Sequence, residues 1–140
     1  MSEPLKQVAA LPVVETEEGP MVLLITTRGR GRWTIPKGWP KNGTSDRAMA
    51  AKEAAEEAGV TGKIGKSPVG SFAYTKRLHF YSWAQCVVDV FLLRVKTHKL
   101  DWQEKSARRA RWASPEEAAK LVSDSELASL LRNVFHLEAA

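Results

Sequence analysis

Apolar and polar positions along this chain follow two rhythms, one of period two and one near 3.6, and their order predicts the elements. Residues 7–14 and 21–27 read as strands, joined by the acidic turn Glu15-Thr16-Glu17-Glu18-Gly19-Pro20. Residues 32–36 suggest a short strand. From about 45 to 58 the spacing turns helical, with Ser45 or Thr44 as a start signal and Gly59 as the stop. Residues 63–76 return to extended sequence, broken around Ser67-Pro68. The longest β-like run, 81–95, is so continuously hydrophobic that burial on both faces is expected. A polar loop over 97–105 and a last strand over 108–113 follow. Ser114-Pro115-Glu116-Glu117 then starts a helix, with a Ser cap and Pro at the first position. A final helix begins at Asp124 or Ser125 and carries Leu127, Leu130, Leu131, Val134 and Phe135 on one apolar face. The expected architecture is α/β: one domain over residues 1–140, a mixed β-sheet covered by helices in an α/β/α sandwich.

Composition narrows the setting. A chain of 140 residues buries roughly two-thirds of its unfolded surface, and 44% hydrophobic with 26% charged residues is ordinary for a soluble globular protein. No apolar run approaches the ~20 residues of a membrane span, and Met1-Ser2-Glu3-Pro4 has no signal-peptide pattern, so no membrane partner is expected. The single Cys86 has no internal disulfide partner; a buried structural thiol and a reducing cytoplasm are expected. His79, His98 and His136 show no metal spacing.

Charge points to the ligand. The net charge of +5 suits polyanions, although solubility alone would also explain it. Arg28, Arg30 and Arg32 precede Trp33, and Lys37 and Lys41 flank a glycine loop. Lys76 and Arg77 follow Tyr74, and Arg108, Arg109 and Arg111 precede Trp112. Gathered by the fold, these residues would line a phosphate channel; otherwise they are solvated charges. Trp33, Trp39 and Tyr74 invite base stacking or core packing alike.

The sharpest feature lies between Gly38 and Val60. A Gly- and Pro-rich loop feeds an Ala-rich helix on which Glu53, Glu56 and Glu57 fall at i, i+3 and i+4, along one side. Such close like charges repel by a few tenths of a kcal/mol per pair, so a counter-charge is expected. A divalent cation with oxygen ligands supplies one, and Mg²⁺ is usual where phosphates share the site. The bland alternative is a solvated face with a Lys52/Glu56 pair.

This segment resembles the Nudix box, of the form Gly-x5-Glu-x7-Arg-Glu-U-x-Glu-Glu-x-Gly-U with U aliphatic. Gly38, Glu53, Glu56, Glu57, Gly59 and Val60 match position for position, with Ala54 weakly aliphatic. Thr44 stands where the family has Glu, and Lys52 where it has Arg. The sequence after the box, and Asp101-Trp102-Gln103-Glu104 further on, are similar to diphosphoinositol-polyphosphate phosphohydrolases, enzymes that also cleave diadenosine polyphosphates. The resemblance implies the same sandwich fold and metal-dependent hydrolysis of a phosphoanhydride in a nucleoside diphosphate linked to another moiety, with Mg²⁺ or Mn²⁺. Glu53, Glu56 and Glu57 would be catalytic residues and metal ligands, the Gly38 carbonyl a fourth ligand and Glu104 an auxiliary. Glu53 is the first choice for base and Glu57 for essential ligand. Arg28, Arg30, Lys37, Lys76 and Arg77 would contact phosphates. Lys52 keeps charge but loses the bidentate fork of Arg, and Thr44 loses a possible ligand while offering an N-cap. A catalytically silent nucleotide- or protein-binding domain is the competing class, and RNA 5′-end hydrolysis a third reading. A phosphorylated small molecule is the expected partner, nucleic acid is not, and the chain would be a monomer or homodimer.

Overall fold

The computed structural model describes residues 3–139, with side chains as far as residue 135. In chain order its strands are β1 (Leu5–Thr16), β2 (Gly19–Thr26), β3 (Trp33–Thr34), β4 (Lys37–Gly38), β5 (Val60–Ile64), β6 (Gly70–His79), β7 (Ser82–His98) and β8 (Ala110–Ala113). Helix α1 (Asp46–Ala58) precedes β5, and α2 (Pro115–Leu121) and α3 (Ser125–Ala139) follow β8. All eight strands join one sheet along β3-β2-β1-β7-β5, with β4 also paired to β1, β6 to β7 and β8 to β2. The sheet is mixed because β1 runs parallel to β7, from Leu5↔Cys86 to Val13↔Arg94, while the other pairings are antiparallel.

Alternation along the strands builds a core on each face. Ala9, Leu11 and Val13 of β1, Val22 and Leu24 of β2, and Val88, Val90 and Leu92 of β7 pack under α2 and α3, against Ala118, Leu127, Leu131 and Val134. The intervening Ala10, Leu23, Ile25, Phe91 and Leu93 face the other way and meet Ala50, Ala54 and Ala58 of α1. The α/β/α sandwich read from the sequence is the observed fold.

The differences are local and have causes. Of the stretch read as one strand over 32–36 only Trp33–Thr34 is strand, and β4 begins just past Pro36, which lacks the N–H a continuous ladder needs. Its carbonyl still accepts from the Ala10 N–H at 3.0 Å. Strand β7 runs on to His98, shortening the expected loop. It is buried on both faces only over residues 90–93; nearer its start burial alternates, and the β6–β7 turn exposes Phe80 and Tyr81. Ser45, not Thr44, caps α1, accepting from the Ala48 N–H at 3.2 Å, while Thr44 forms a β-bridge with Lys41. Cys86 is buried and free. His98 packs on Trp102 and Trp112, and the His136 side chain lies outside the described residues.

Candidate active site

Helix α1 is held at both ends. Ser45 caps its start; at its end Gly59 (φ 71°) donates to the carbonyls of Ala54 and Ala55. The loop after β7 covers two further carbonyls: Trp102 Nε1 donates to the Glu57 carbonyl at 3.1 Å, and the Glu104 N–H to that of Glu56 at 3.1 Å. Arg47 ties the first turn to β5 through the carbonyls of Ile64 and Gly65. The glutamates thus stand on a clamped element.

Strand β4 lies across this helix because Val8 of β1 pairs with Gly38. A Cβ at Gly38 would fall 2.5 Å from Glu53 Cδ, so glycine is what admits the Glu53 carboxyl against the backbone. Glu57 is 6% exposed and accepts from the Lys37 N–H at 3.3 Å, with Arg108 Nη2 at 3.8 Å. Burial and then the neighbouring Glu53 carboxyl push the Glu57 pKa up to about 8, against the pull of Arg108 and the Lys37 N–H. A buried acid and a half-buried one here stand side by side.

Glu56 is turned elsewhere. Its Oε1 lies 3.8 Å from Lys52 Nζ, the i,i+4 pair the bland reading foresaw. Among the described residues no three His, Cys, Asp or Glu side chains converge closely enough to hold a metal ion. The expected trio is therefore a convergent pair, Glu53 and Glu57, with Glu56 beside it on the helix. That pair still fits a divalent cation, since hard carboxylate oxygens crowded until one prefers its proton are a donor set lacking positive charge.

Glu104 is already neutralised. Arg108 Nε donates to its Oε1 at 2.9 Å, and Arg28 Nη2 lies at 3.0 Å. Arg108 also donates from Nη1 to the Thr26 carbonyl at 3.0 Å, so one guanidinium links β2, Glu57 and Glu104. Sequence reading placed Arg108 among general basic residues and missed this role; the i,i+4 spacing from Glu104 was the available signal.

Beside the glutamates lies a cavity of about 350 Å³. Of the residues expected to touch phosphate, Arg30, Lys37, Lys76 and Arg77 line it, joined by Arg32; Arg28 does not, being held by Glu104. Trp33, Tyr74 and Trp83 supply aromatic wall. None of the three glutamates lines the cavity. Lys37 connects the two regions: its N–H reaches Glu57, and its ammonium lies 5.2 Å from the Tyr74 ring centroid. Burial lowers the Lys37 pKa, while Glu57 and Asp124 pull it back up. A cationic cavity next to a crowded acid pair can hold a polyphosphate with one phosphorus near a base.

Comparisons with known proteins agree with this geometry. The Nudix domain profile matches residues 5–134. An asymmetrical bis(5′-nucleosyl)-tetraphosphatase of Sus scrofa is 27% identical over 87% of this chain and 82% of its own length. Diphosphoinositol polyphosphate phosphohydrolase 2 of Rattus norvegicus is 29% identical over 84% of this chain and 62% of its own. Against three mitochondrial Nudix hydrolases of Arabidopsis thaliana, the chain spans 51% to 65% of the relative's length. The crystal structure of C. elegans Ap4A hydrolase superposes with a TM-score of 0.68 at 21% identity, covering 99% of this chain and all of that one, which shows a shared fold. Box residues, sandwich and domain profile coincide: the chain belongs to the Nudix family.

Proposed function

We propose that this chain hydrolyses phosphoanhydride bonds in a nucleoside diphosphate linked to another moiety, with dinucleoside polyphosphates and diphosphoinositol polyphosphates as the leading substrates and Mg²⁺ or Mn²⁺ as cofactor. The observation that carries this reading is the pair of half-buried Glu53 and buried Glu57 against Gly38, joined through Lys37 to a cavity lined by cations. Repulsion keeps water from a polyphosphate, so attack needs the phosphoryl charge neutralised and the water oriented. Glu53 and Glu57, with the Gly38 carbonyl, would hold a divalent cation that supplies that neutralisation and acidifies water when bound, and Glu56 would join them only by turning from Lys52. Arg30, Lys37, Lys76 and Arg77 bind the phosphates, and Glu53 takes the water's proton.

The test is product chromatography and phosphate release over dinucleoside polyphosphates, nucleoside triphosphates and inositol pyrophosphates, with Mg²⁺ or Mn²⁺. Glu57→Gln should abolish whatever cleavage is found; unchanged turnover overturns the assignment. The silent-domain reading has its own support in Thr44, Lys52 and the Glu56–Lys52 contact, and binding without cleavage across the panel would favour it.

A further inference from the structure

Glu104 stands between the acid helix and the cavity and is bonded to the elements that carry each. Its backbone N–H reaches the Glu56 carbonyl at the end of α1, at 3.1 Å. Its side chain is 13% exposed, and a single oxygen, Oε1, faces two guanidiniums. Arg108 Nε lies at 2.9 Å, Arg28 Nε at 3.1 Å and Arg28 Nη2 at 3.0 Å. Arg108 goes on to Glu57 and to the Thr26 carbonyl. Arg28 belongs instead to the short loop that joins β2 to β3.

That loop has a fixed neck and a loose tip. At the neck the Thr27 N–H donates to the Arg32 carbonyl at 2.8 Å, and the Arg32 N–H to Thr27 Oγ1 at 3.0 Å. Beyond it, exposed Gly29 and Gly31 flank Arg30, with open space where their side chains would be. Glycine loses more backbone freedom on ordering than any other residue. Arg30 lines the cavity, yet its side chain makes no hydrogen bond or ion pair among the described residues. The tip is therefore anchored through Arg28, and Arg28 through Glu104. A surface ion pair usually contributes little, because two long side chains must be ordered in water. Here the carboxylate is largely buried and already fixed, so only Arg28 has to be ordered.

Resting on the hydrolase reading above, we propose that Glu104 is a positioning residue: it holds Arg28, and through Arg28 sets Arg30 where the polyphosphate passes. Its hold on Arg108 keeps that guanidinium against Glu57, so one carboxylate supports both the phosphate cavity and the acid pair. Glu104 does not take the water's proton; its Oε1 is an acceptor already in use.

The test uses the full chain and two readouts. One is binding of inorganic tripolyphosphate without metal, by calorimetry; the other is turnover, with Mg²⁺, of the fastest substrate in the panel above. Arg28→Ala and Arg30→Ala should each weaken tripolyphosphate binding about threefold or more, and together little more than either alone. In the Glu104→Gln background Arg28→Ala should add little, since the anchor is already lost. Gly29→Ala fits its open space outside the left-handed region, and by stiffening the tip should restore affinity about twofold in Arg28→Ala. In turnover, Glu104→Gln should raise KM more than it lowers kcat, and the pH profile of kcat should keep its shape. An Arg28→Ala effect that persists in full in Glu104→Gln means that Arg28 itself contacts phosphate, and overturns the proposal. Binding indifferent to Arg28→Ala or Arg30→Ala, or no recovery from Gly29→Ala, overturns it as well. A kcat loss of about a hundredfold or more with KM unmoved, or a lost limb of the pH profile, makes Glu104 the base and overturns it too. Failure to cleave any compound overturns the hydrolase reading instead, and the tripolyphosphate series then still decides the positioning claim.

Discussion

Glu57 is an acid 6% exposed beside a second acid, and its pKa of about 8 lies well above the ordinary value of 4.5. The fold therefore favours its neutral form. That contribution to stability is complete below pH 4.5 and is lost as pH rises through about 8. Metal-free protein should accordingly melt at lower temperature at pH 9 than at pH 6, and Glu57→Gln should flatten that slope in calorimetry with EDTA present. A wild-type slope unchanged by the substitution contradicts the buried-acid account. Gly38→Ala tests the other acid. The atoms nearest the added Cβ belong to the flexible Glu53 side chain and not to backbone, so folding should persist while the carboxyl is displaced. Activity should drop about tenfold or more with little change in urea midpoint, as misplacement near the chemistry does. Arg108→Ala removes the shared partner of Glu57, Glu104 and the Thr26 carbonyl, and should cost about 2–4 kcal/mol in denaturant unfolding. The glutamates were legible in the sequence because helical spacing is local. Arg108 was not, since its link to Glu57 exists only once the loop after β7 folds over the end of α1.

At the scale of the element, that same seal is the sensitive point. A side chain at Gly59 would sit in the left-handed region with its Cβ 2.7 Å from the Trp102 ring, which cannot swing aside while its indole N–H holds the Glu57 carbonyl. Gly59→Ala should destabilise the protein by about 2–4 kcal/mol in urea titration, more than left-handed strain alone, which is about 1–2 kcal/mol. The Trp102→Ala background should relieve the excess. Ser114, by contrast, makes a capping box with Glu117, and its loss should cost about 1 kcal/mol. Caps and stops were readable because each is a short-range device. The break between β3 and β4 at residues 35–36 was not, because it depends on what each residue finds in the neighbouring strand. The choice between Thr44 and Ser45 as cap likewise turned on the tertiary bridge from Thr44 to Lys41.

Across the whole molecule, alternation announced the strands but not their order. The parallel pairing of β1 with β7 joins residues some eighty positions apart, and no local pattern encodes it. The cavity is also a product of that assembly. It gathers Arg30, Lys37, Lys76, Arg77 and Asp124 from separate segments, whereas Arg28, equally basic in sequence, is taken by Glu104. The two departures from the box belong to this scale, since they concern how the loop and helix support the acids. Lys52 reaches Glu56 from the exposed side of α1, and Thr44 is fixed through its backbone N–H to the Lys41 carbonyl at 3.1 Å, leaving both side chains replaceable. The double substitution Thr44→Glu with Lys52→Arg should therefore leave or raise turnover. A large loss would show that these positions do more than support the carboxylates.

The claim beneath all of this is that Glu53 and Glu57 together take up a divalent cation beside a polyphosphate cavity. Titration of Mn²⁺ by electron paramagnetic resonance, on wild type and on Glu53→Gln and Glu57→Gln, reads it without any assumed substrate. The account predicts saturable uptake that each substitution weakens by about tenfold or more. Uptake indifferent to both substitutions, or absent from the wild type with and without nucleotide, would contradict it.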